Sequence, residues 1–133
     1  NSVVRIGCLT LACATALATI EVYEEEKIFE NVKTVGKYLG EQLEELKNKH
    51  VSIGDVRYIG MFTAMELVKN HETKEPMDLT ALKNFLVSNG VYVFNFKNIL
   101  FIVPPLVITK EQLDEGLKLI DEGLAELMDT QVI

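Results

Sequence analysis

The sequence predicts an α+β fold in which helices cover a four-stranded, mostly antiparallel sheet. The stretch from Gly54 to Val68, GDVRYIGMFTAMELV, is typical of two consecutive strands that bend at Gly60, and a second pair of apolar runs follows around a short polar turn. Segments with apolar residues three or four positions apart precede, separate and follow these strand pairs. A chain of 133 residues has the length of one domain.

Two helices are predicted before the first strand. The segment from Leu9 to about Glu26 is rich in alanine, which favours a helix and gives it a smooth surface that can lie close to another element. We expect this helix to pack against something larger. The segment Ile28–Lys49 is amphipathic, and its apolar residues are Ile28, Phe29, Val32, Val35, Leu39, Leu43 and Leu46.

The central strand pair contains one charge within an apolar run. Asp55–Ile59 alternates polar and apolar residues, Gly60 interrupts the pattern, and Met61–Val68 is almost wholly apolar except for Glu66. A strand glutamate in such a run is usually paired with an arginine. We therefore expect Glu66 to form an ion pair with Arg57.

A third helix and a second strand pair follow a polar loop that contains His71. Asp78 is a predicted cap for a helix from Leu79 to Asn89, which Gly90 ends. The apolar runs after it predict strands at Val91–Phe94 and Ile99–Val103, joined by a turn at Asn95–Asn98 as an antiparallel hairpin.

The last helix has an explicit start signal in the sequence. Thr109 and Gln112 have the spacing of a capping box, in which each side chain bonds to the other residue's backbone N–H. Leucine and isoleucine residues then recur at helical spacing up to Leu127.

Composition excludes several classes of function. The net charge of −7 argues against binding to a nucleic-acid backbone or an anionic membrane surface, and no apolar run is long enough to span a bilayer. Cys8 and Cys13 lie five positions apart, which matches neither a zinc site nor a redox pair, so we interpret them as apolar residues in a reducing compartment, the cytoplasm.

The residues alone indicate no self-sufficient active site. The sequence has no glycine-rich phosphate loop and no hydrolase or metalloprotease motif, and no histidine stands near a cysteine. His50 and His71 are isolated, so we assign neither a catalytic nor a metal-binding role. From chemistry alone, we expect no catalytic residue, no metal ligand and no confident cofactor-binding residue in this chain.

Three segments nevertheless resemble one enzyme family. These are GDVRYIGMFTAMELVKN, then ETKEP, then ILFIVPPLVITKEQLDEGLKLIDEGL, and they have the order and spacing seen in the C-terminal small domain of class III aminotransferases that use pyridoxal phosphate. The segment LTLACATALATIEVYEEE is similar to the helix that precedes this domain in the family. The resemblance covers nearly the whole chain.

The resemblance implies a function for a larger protein. Residues 1–133 would form one small domain, with residues 9–26 as a linking helix on a large domain that carries the Schiff-base lysine and the pyridoxal phosphate. Such enzymes transfer an amino group from an amine or amino acid to a keto acid and are typically cytoplasmic homodimers. This chain by itself would be inactive, and we interpret its start, Asn1–Val4, as a cut in the longer protein.

The chain departs from the family pattern at two places. Residues 5–10, RIGCLT, replace the usual threonine and Gly-His-Pro, which puts a cofactor-phosphate contact there in doubt. Phe101 stands three residues before Pro104, where many members have an arginine that grips the substrate α-carboxylate. Phe101 and Arg57 are the candidate residues of a substrate pocket, and Phe101 would suit an ω-amine or a substrate whose acid group is bound elsewhere.

A second function class stays open at this point. The chain could be a free-standing, non-catalytic binding or dimerisation module derived from a transaminase. The genomic reading frame distinguishes this class from the enzyme. If about 300 residues with a lysine-bearing cofactor domain precede Asn1, the enzyme interpretation holds for the parent protein.

Overall fold

The computed structural model describes the backbone of residues 6–133 and the side chains of residues 10–133. Two helices come first, then three strands, a helix, two strands and a final helix. Their bounds are α1 Ile6–Glu25, α2 Ile28–Lys49, β1 Ile53–Ile59, β2 Phe62–Asn70, β3 Glu75–Pro76, α3 Thr80–Ser88, β4 Phe94–Phe96, β5 Ile99–Ile102 and α4 Lys110–Gly123. A π-helical turn, Leu124–Met128, and a 3₁₀ turn, Asp129–Gln131, continue α4.

The strands form an antiparallel sheet in the order β1-β2-β5-β4. This arrangement confirms the predicted α+β fold class. The short strand β3 was not predicted, and it pairs with the end of β2 at Val68 and Asn70, beyond the stretch that β5 occupies.

The first hairpin turns at Gly60 and Met61. Ile59 pairs directly with Phe62, and Gly60 adopts a positive φ of 57°, a conformation that suits glycine. Met61 is therefore in the turn, and its prediction as the first residue of the second strand was wrong. The turn also needs space, because a Cβ added at Gly36 of α2 would lie 2.8 Å from the carbonyl carbon of Gly60.

The first strand of the second hairpin lies two to three residues later than the predicted Val91–Phe94, whereas β5 begins at Ile99 as predicted. Val91–Val93 forms a loop, and β4 consists of Phe94–Phe96. The turn is Lys97-Asn98, in which Lys97 has a φ of 53° and the buried Asn98 donates its side-chain amide to the carbonyl oxygen of Leu67 at 2.9 Å. This bond ties the turn to β2, whereas Val93 lies in the buried core, Val91 packs against that core, and neither residue belongs to a strand.

One face of the sheet and three helices enclose the core. Inward-facing strand residues such as Met65 and Leu100 have no exposed surface, and they belong to the same buried cluster as Leu39 and Leu43 of α2, Leu82 of α3 and Ile120 of α4. The predicted capping box of α4 is confirmed, since Thr109 and Gln112 bond to each other's backbone N–H groups. The second face of the sheet carries exposed side chains such as Phe62 and Phe94, and we call it the open face.

The first helix stands apart from this core. Almost every described side chain of α1 is exposed, including Leu11, Leu17 and Ile20. Near its end, Tyr23 stacks edge-on against Phe29 at the start of α2, with ring centroids 5.7 Å apart. The packing of α1 on a larger domain stays a prediction.

Candidate functional site

The open face of the sheet brings the two candidate pocket residues into one row. Arg57 pairs with Ala64, Ala64 pairs with Phe101, and Phe101 pairs with Phe94 across the four strands. Directly opposed residues of an antiparallel sheet point to the same face. Arg57 and Phe101 therefore lie on the same face of the sheet, one on each side of Ala64, whose small side chain leaves the space between them unfilled.

An ion-pair network occupies the β1 end of this face. The Nε atom of Arg57 lies 3.2 Å from Oδ2 of Asp55, and its Nη2 atom lies 3.2 Å from Oε2 of Glu66, so the predicted pair between Arg57 and Glu66 is confirmed. Lys47 of α2 donates to Oδ1 of Asp55 at 3.1 Å, and this bond lowers the pKa of Asp55 below its usual value. Two cations thus face two carboxylates, and the network is neutral overall.

Aromatic rings occupy the other end of the face. The ring centroid of Phe101 lies 5.9 Å from that of Phe62 and 5.6 Å from that of Phe94. We call these three residues the phenylalanine cluster. As period-two alternation predicts, Phe101 is half-buried whereas its neighbours Leu100 and Ile102 are buried in the core. The assignment of Phe101 and Arg57 to a substrate pocket stays a prediction.

A shallow depression of about 210 Å³ lies on the same face. Its walls include Arg57, Ile59, Phe62 and Ala64. A larger cleft of about 400 Å³ lies elsewhere, between α2 and α4. Polar side chains that line that cleft include Tyr38 and Asp114, which form a 2.7 Å hydrogen bond. We take the open face as the candidate site because it carries both Arg57 and Phe101.

His50 belongs to a buried polar cluster that sequence reasoning missed. Its Nδ1 atom lies 2.6 Å from Oδ2 of Asp129, and its Nε2 atom lies 2.5 Å from Oδ1 of Asp121. Ser52 donates its hydroxyl to Asp129, and Lys49 pairs with Asp121. The partners of His50 lie more than seventy positions away in the sequence, so no local pattern could have indicated them.

Burial and hydrogen bonding act in opposite directions on the two carboxylates of this cluster. Burial raises the pKa of Asp121, but hydrogen bonds from Lys49 and His50 outweigh it and the pKa is lowered. Burial likewise raises the pKa of Asp129, whereas bonds from Ser52 and His50 lower it below its usual value. The arrangement ties the end of α4 to the start of β1 and serves the fold.

The remaining predicted features have simple positions. His71 is exposed, and its Nε2 atom lies 2.7 Å from the carbonyl oxygen of Val51. Residues 5–10, the segment with the altered phosphate-contact motif, lie outside the described side chains except for Thr10, and so does Cys8.

Among the side chains that are described, no three His, Cys, Asp or Glu residues are placed to hold a metal ion. None of the helices, over residues 6–133, is long and apolar enough to cross a membrane.

The comparison with known proteins points to a single family. The family model described as aminotransferase class-III matches residues 7–124. The chain is 38% identical over 122 residues to isoleucine 2-epimerase of Lentilactobacillus buchneri, covering 90% of this chain and 27% of that protein. It is also 38% identical over 109 residues to adenosylmethionine-8-amino-7-oxononanoate aminotransferase of Methanocaldococcus jannaschii, covering 77% of this chain and 23% of that one.

Solved structures agree in fold with this chain. Taurine:2-oxoglutarate aminotransferase of Bifidobacterium kashiwanohense, solved in complex with pyridoxal phosphate and glutamate, superposes with a TM-score of 0.81 at 34% identity. The superposition covers 92% of this chain and 29% of that structure. The chain therefore spans about a quarter of the length of these proteins.

Proposed function

Because the chain belongs to the class III aminotransferase family, we propose that it is the C-terminal substrate-closing domain of a larger pyridoxal-phosphate-dependent aminotransferase. The protein would move an amino group from an amine or amino acid to a keto acid. The match over residues 7–124 is the observation that supports this proposal most. We include in it the cytoplasmic homodimer and the large domain, which rest on the family resemblance.

We infer that the pyridoxal-phosphate site lies mainly in the rest of the protein. A phosphate group is usually held by cations or backbone N–H groups that are free to bind it. The two cations of the ion-pair network on this face, Arg57 and Lys47, are already paired with Asp55 and Glu66. We therefore assign the phosphate cradle and the Schiff-base lysine to the rest of the protein, and we expect this chain alone to be inactive.

In this proposal the open face of the sheet closes over the substrate. Its apolar surface would exclude water from the bound amine, and a dry site strengthens the electrostatic interactions inside it. Phe101 and Arg57 would border the substrate from this side. Since Phe101 cannot form the two parallel hydrogen bonds that an arginine offers a carboxylate, the substrate would be an ω-amine or would have its acid group bound elsewhere.

A labelled-nitrogen transfer experiment tests the proposal. The complete protein, loaded with cofactor, is mixed with a panel of nitrogen-15-labelled amines and amino acids and with 2-oxoglutarate or pyruvate. We expect the label to appear in glutamate or alanine for at least one donor. Cofactor binding without label transfer from any donor would contradict the proposal, and unchanged stereochemistry of the amino acids in the same mixtures would then favour the non-catalytic binding or dimerisation module.

The similarity to an isoleucine epimerase favours a second candidate function, which is inversion of the α-carbon of an apolar amino acid. The same reaction mixtures separate the two possibilities. Epimerisation would convert L-isoleucine into its D-allo isomer without moving label to the keto acid, whereas a transaminase moves the label.

A further inference from the structure

We infer that the phenylalanine cluster borders the bound substrate and selects substrates with an apolar side chain. This inference rests on the proposed function and adds to it the class of substrate. It also adds Phe62 and Phe94, which sequence reasoning did not single out, to the residues that face the substrate.

The three rings form one continuous apolar surface on the open face. Phe62 and Phe94 are more than half exposed, and they stand on either side of the half-buried Phe101 on strands β2 and β4. Their planes are inclined to that of Phe101 by 48° and 35°. Exposed rings contribute little to the core of this chain, so their free energy of burial is available to an apolar group that covers them.

The depression contacts the cluster at Phe62 and offers space for a small group next to that ring. Its volume of about 210 Å³ is below the range of about 300–1,000 Å³ that is usual for drug-sized ligands. Phe62 forms one wall and Ala64 leaves the floor open, whereas a larger residue at position 64 would fill it. The space suits one aliphatic or aryl side chain.

The charges around the cluster disfavour an acidic side chain. Arg57 is balanced by Asp55 and Glu66, so an incoming carboxylate would have to displace one of them. Burial of an unpaired carboxylate against three aromatic rings would be costly. Lys97 lies over the ring of Phe96, 5.6 Å from its centroid, in the neighbouring row of the sheet, away from the depression.

Single substitutions in the complete, cofactor-loaded protein test the inference. The variants are Phe94→Ala and Phe62→Ala, and the control is Phe96→Ala. Phe96 matches Phe94 closely, because it lies on the same strand and face and is 59% exposed against 57%, but it lies outside the cluster. The probes are L-leucine and 1-phenylethylamine as apolar donors and L-glutamate as the acidic donor.

We expect each cluster variant to lower the ratio of kcat/KM for apolar over acidic donors by about tenfold, the effect of losing one well-placed apolar contact. The control should leave this ratio within about twofold of the wild type. Inhibition by 4-methylpentanoate, an apolar acid without an amino group, should weaken in the cluster variants by a similar factor, and this readout does not depend on turnover.

Three outcomes would overturn the inference, and they can be told apart. Equal losses for all donors would show that the cluster packs against another domain and does not select the substrate. If Phe96→Ala changed the ratio of kcat/KM for apolar over acidic donors as much as Phe94→Ala does, the selectivity would not depend on the phenylalanine cluster. If the wild-type protein turned over no donor, the proposed function would fail, and this inference would fail with it.

Discussion

Removal of the Asp129 carboxylate should destabilise the fold strongly. Asp129 accepts hydrogen bonds from the backbone N–H of Ser52 at 3.1 Å and from its hydroxyl at 2.6 Å, and it faces Nδ1 of His50 at 2.6 Å. Asp129→Ala would leave the polar groups of Ser52 and the 3% exposed ring of His50 without this partner. At about 1–3 kcal/mol for each buried unsatisfied group, the three groups together correspond to roughly 3–9 kcal/mol. Because the side chain of Asp129 is 23% exposed and water can reach the site, we expect a loss in the lower part of this range, about 3–5 kcal/mol in the free energy of unfolding.

Urea denaturation at pH 7 measures this loss as a lower midpoint at constant slope. Thr130→Ala, a change at the exposed neighbouring residue, is the control and should cost less than about 0.5 kcal/mol. Because the pKa of Asp129 is lowered from 3.8 in the folded chain, its contribution is present above that value and is lost as the pH falls through the lower folded value. The difference in the free energy of unfolding between the wild type and Asp129→Ala should therefore become smaller below about pH 4. A loss under about 1 kcal/mol in the free energy of unfolding at pH 7 would refute the structural role of the polar groups around His50 and Asp129.

Three further predictions concern packing, the cofactor and the first helix. Gly36→Ala should cost about 1–3 kcal/mol in thermal or urea unfolding, since its Cβ would meet the Gly60 backbone at 2.8 Å, and a gain in stability would contradict this contact. Pyridoxal phosphate added to this chain alone should give no stoichiometric visible absorption band that survives dialysis; such a band would place a cofactor lysine within the chain. Sedimentation of this chain should show association at high concentration through α1, whose Leu11 and Leu17 are exposed, and a strictly monomeric species would count against it.

Local signals predicted much of the fold correctly. The capping box at Thr109 and the pairing of Glu66 with Arg57 both depend on residues that are close in sequence or in adjacent strands, and both are confirmed. The alternation along β5 also placed Phe101 and Leu100 on opposite faces. Within one element, periodicity and spacing carry enough information for such predictions.

The errors arose where distant contacts decide the outcome. The apolar residues Val91–Phe94 were predicted as a strand, whereas the observed strand is Phe94–Phe96, and the turn after it is tied to β2 by the bond from Asn98 to Leu67. In the observed strand Phe94 pairs with Phe101 on the open face. Prediction of this pair from the sequence would have required the correct position of the turn. The burial of His50 likewise depends on carboxylates of α4 and of the turn that follows it.

The kinetics of Phe101→Arg in the complete protein test the central claim most directly, which is that the open face meets the substrate. An arginine here could pair with a substrate α-carboxylate, and a charge-assisted bond is worth about 1.5–3 kcal/mol. We predict that the ratio of kcat/KM for α-amino acids over amines without a carboxylate rises by about 10- to 150-fold. An unchanged ratio, with the variant folded and loaded with cofactor, would contradict the account.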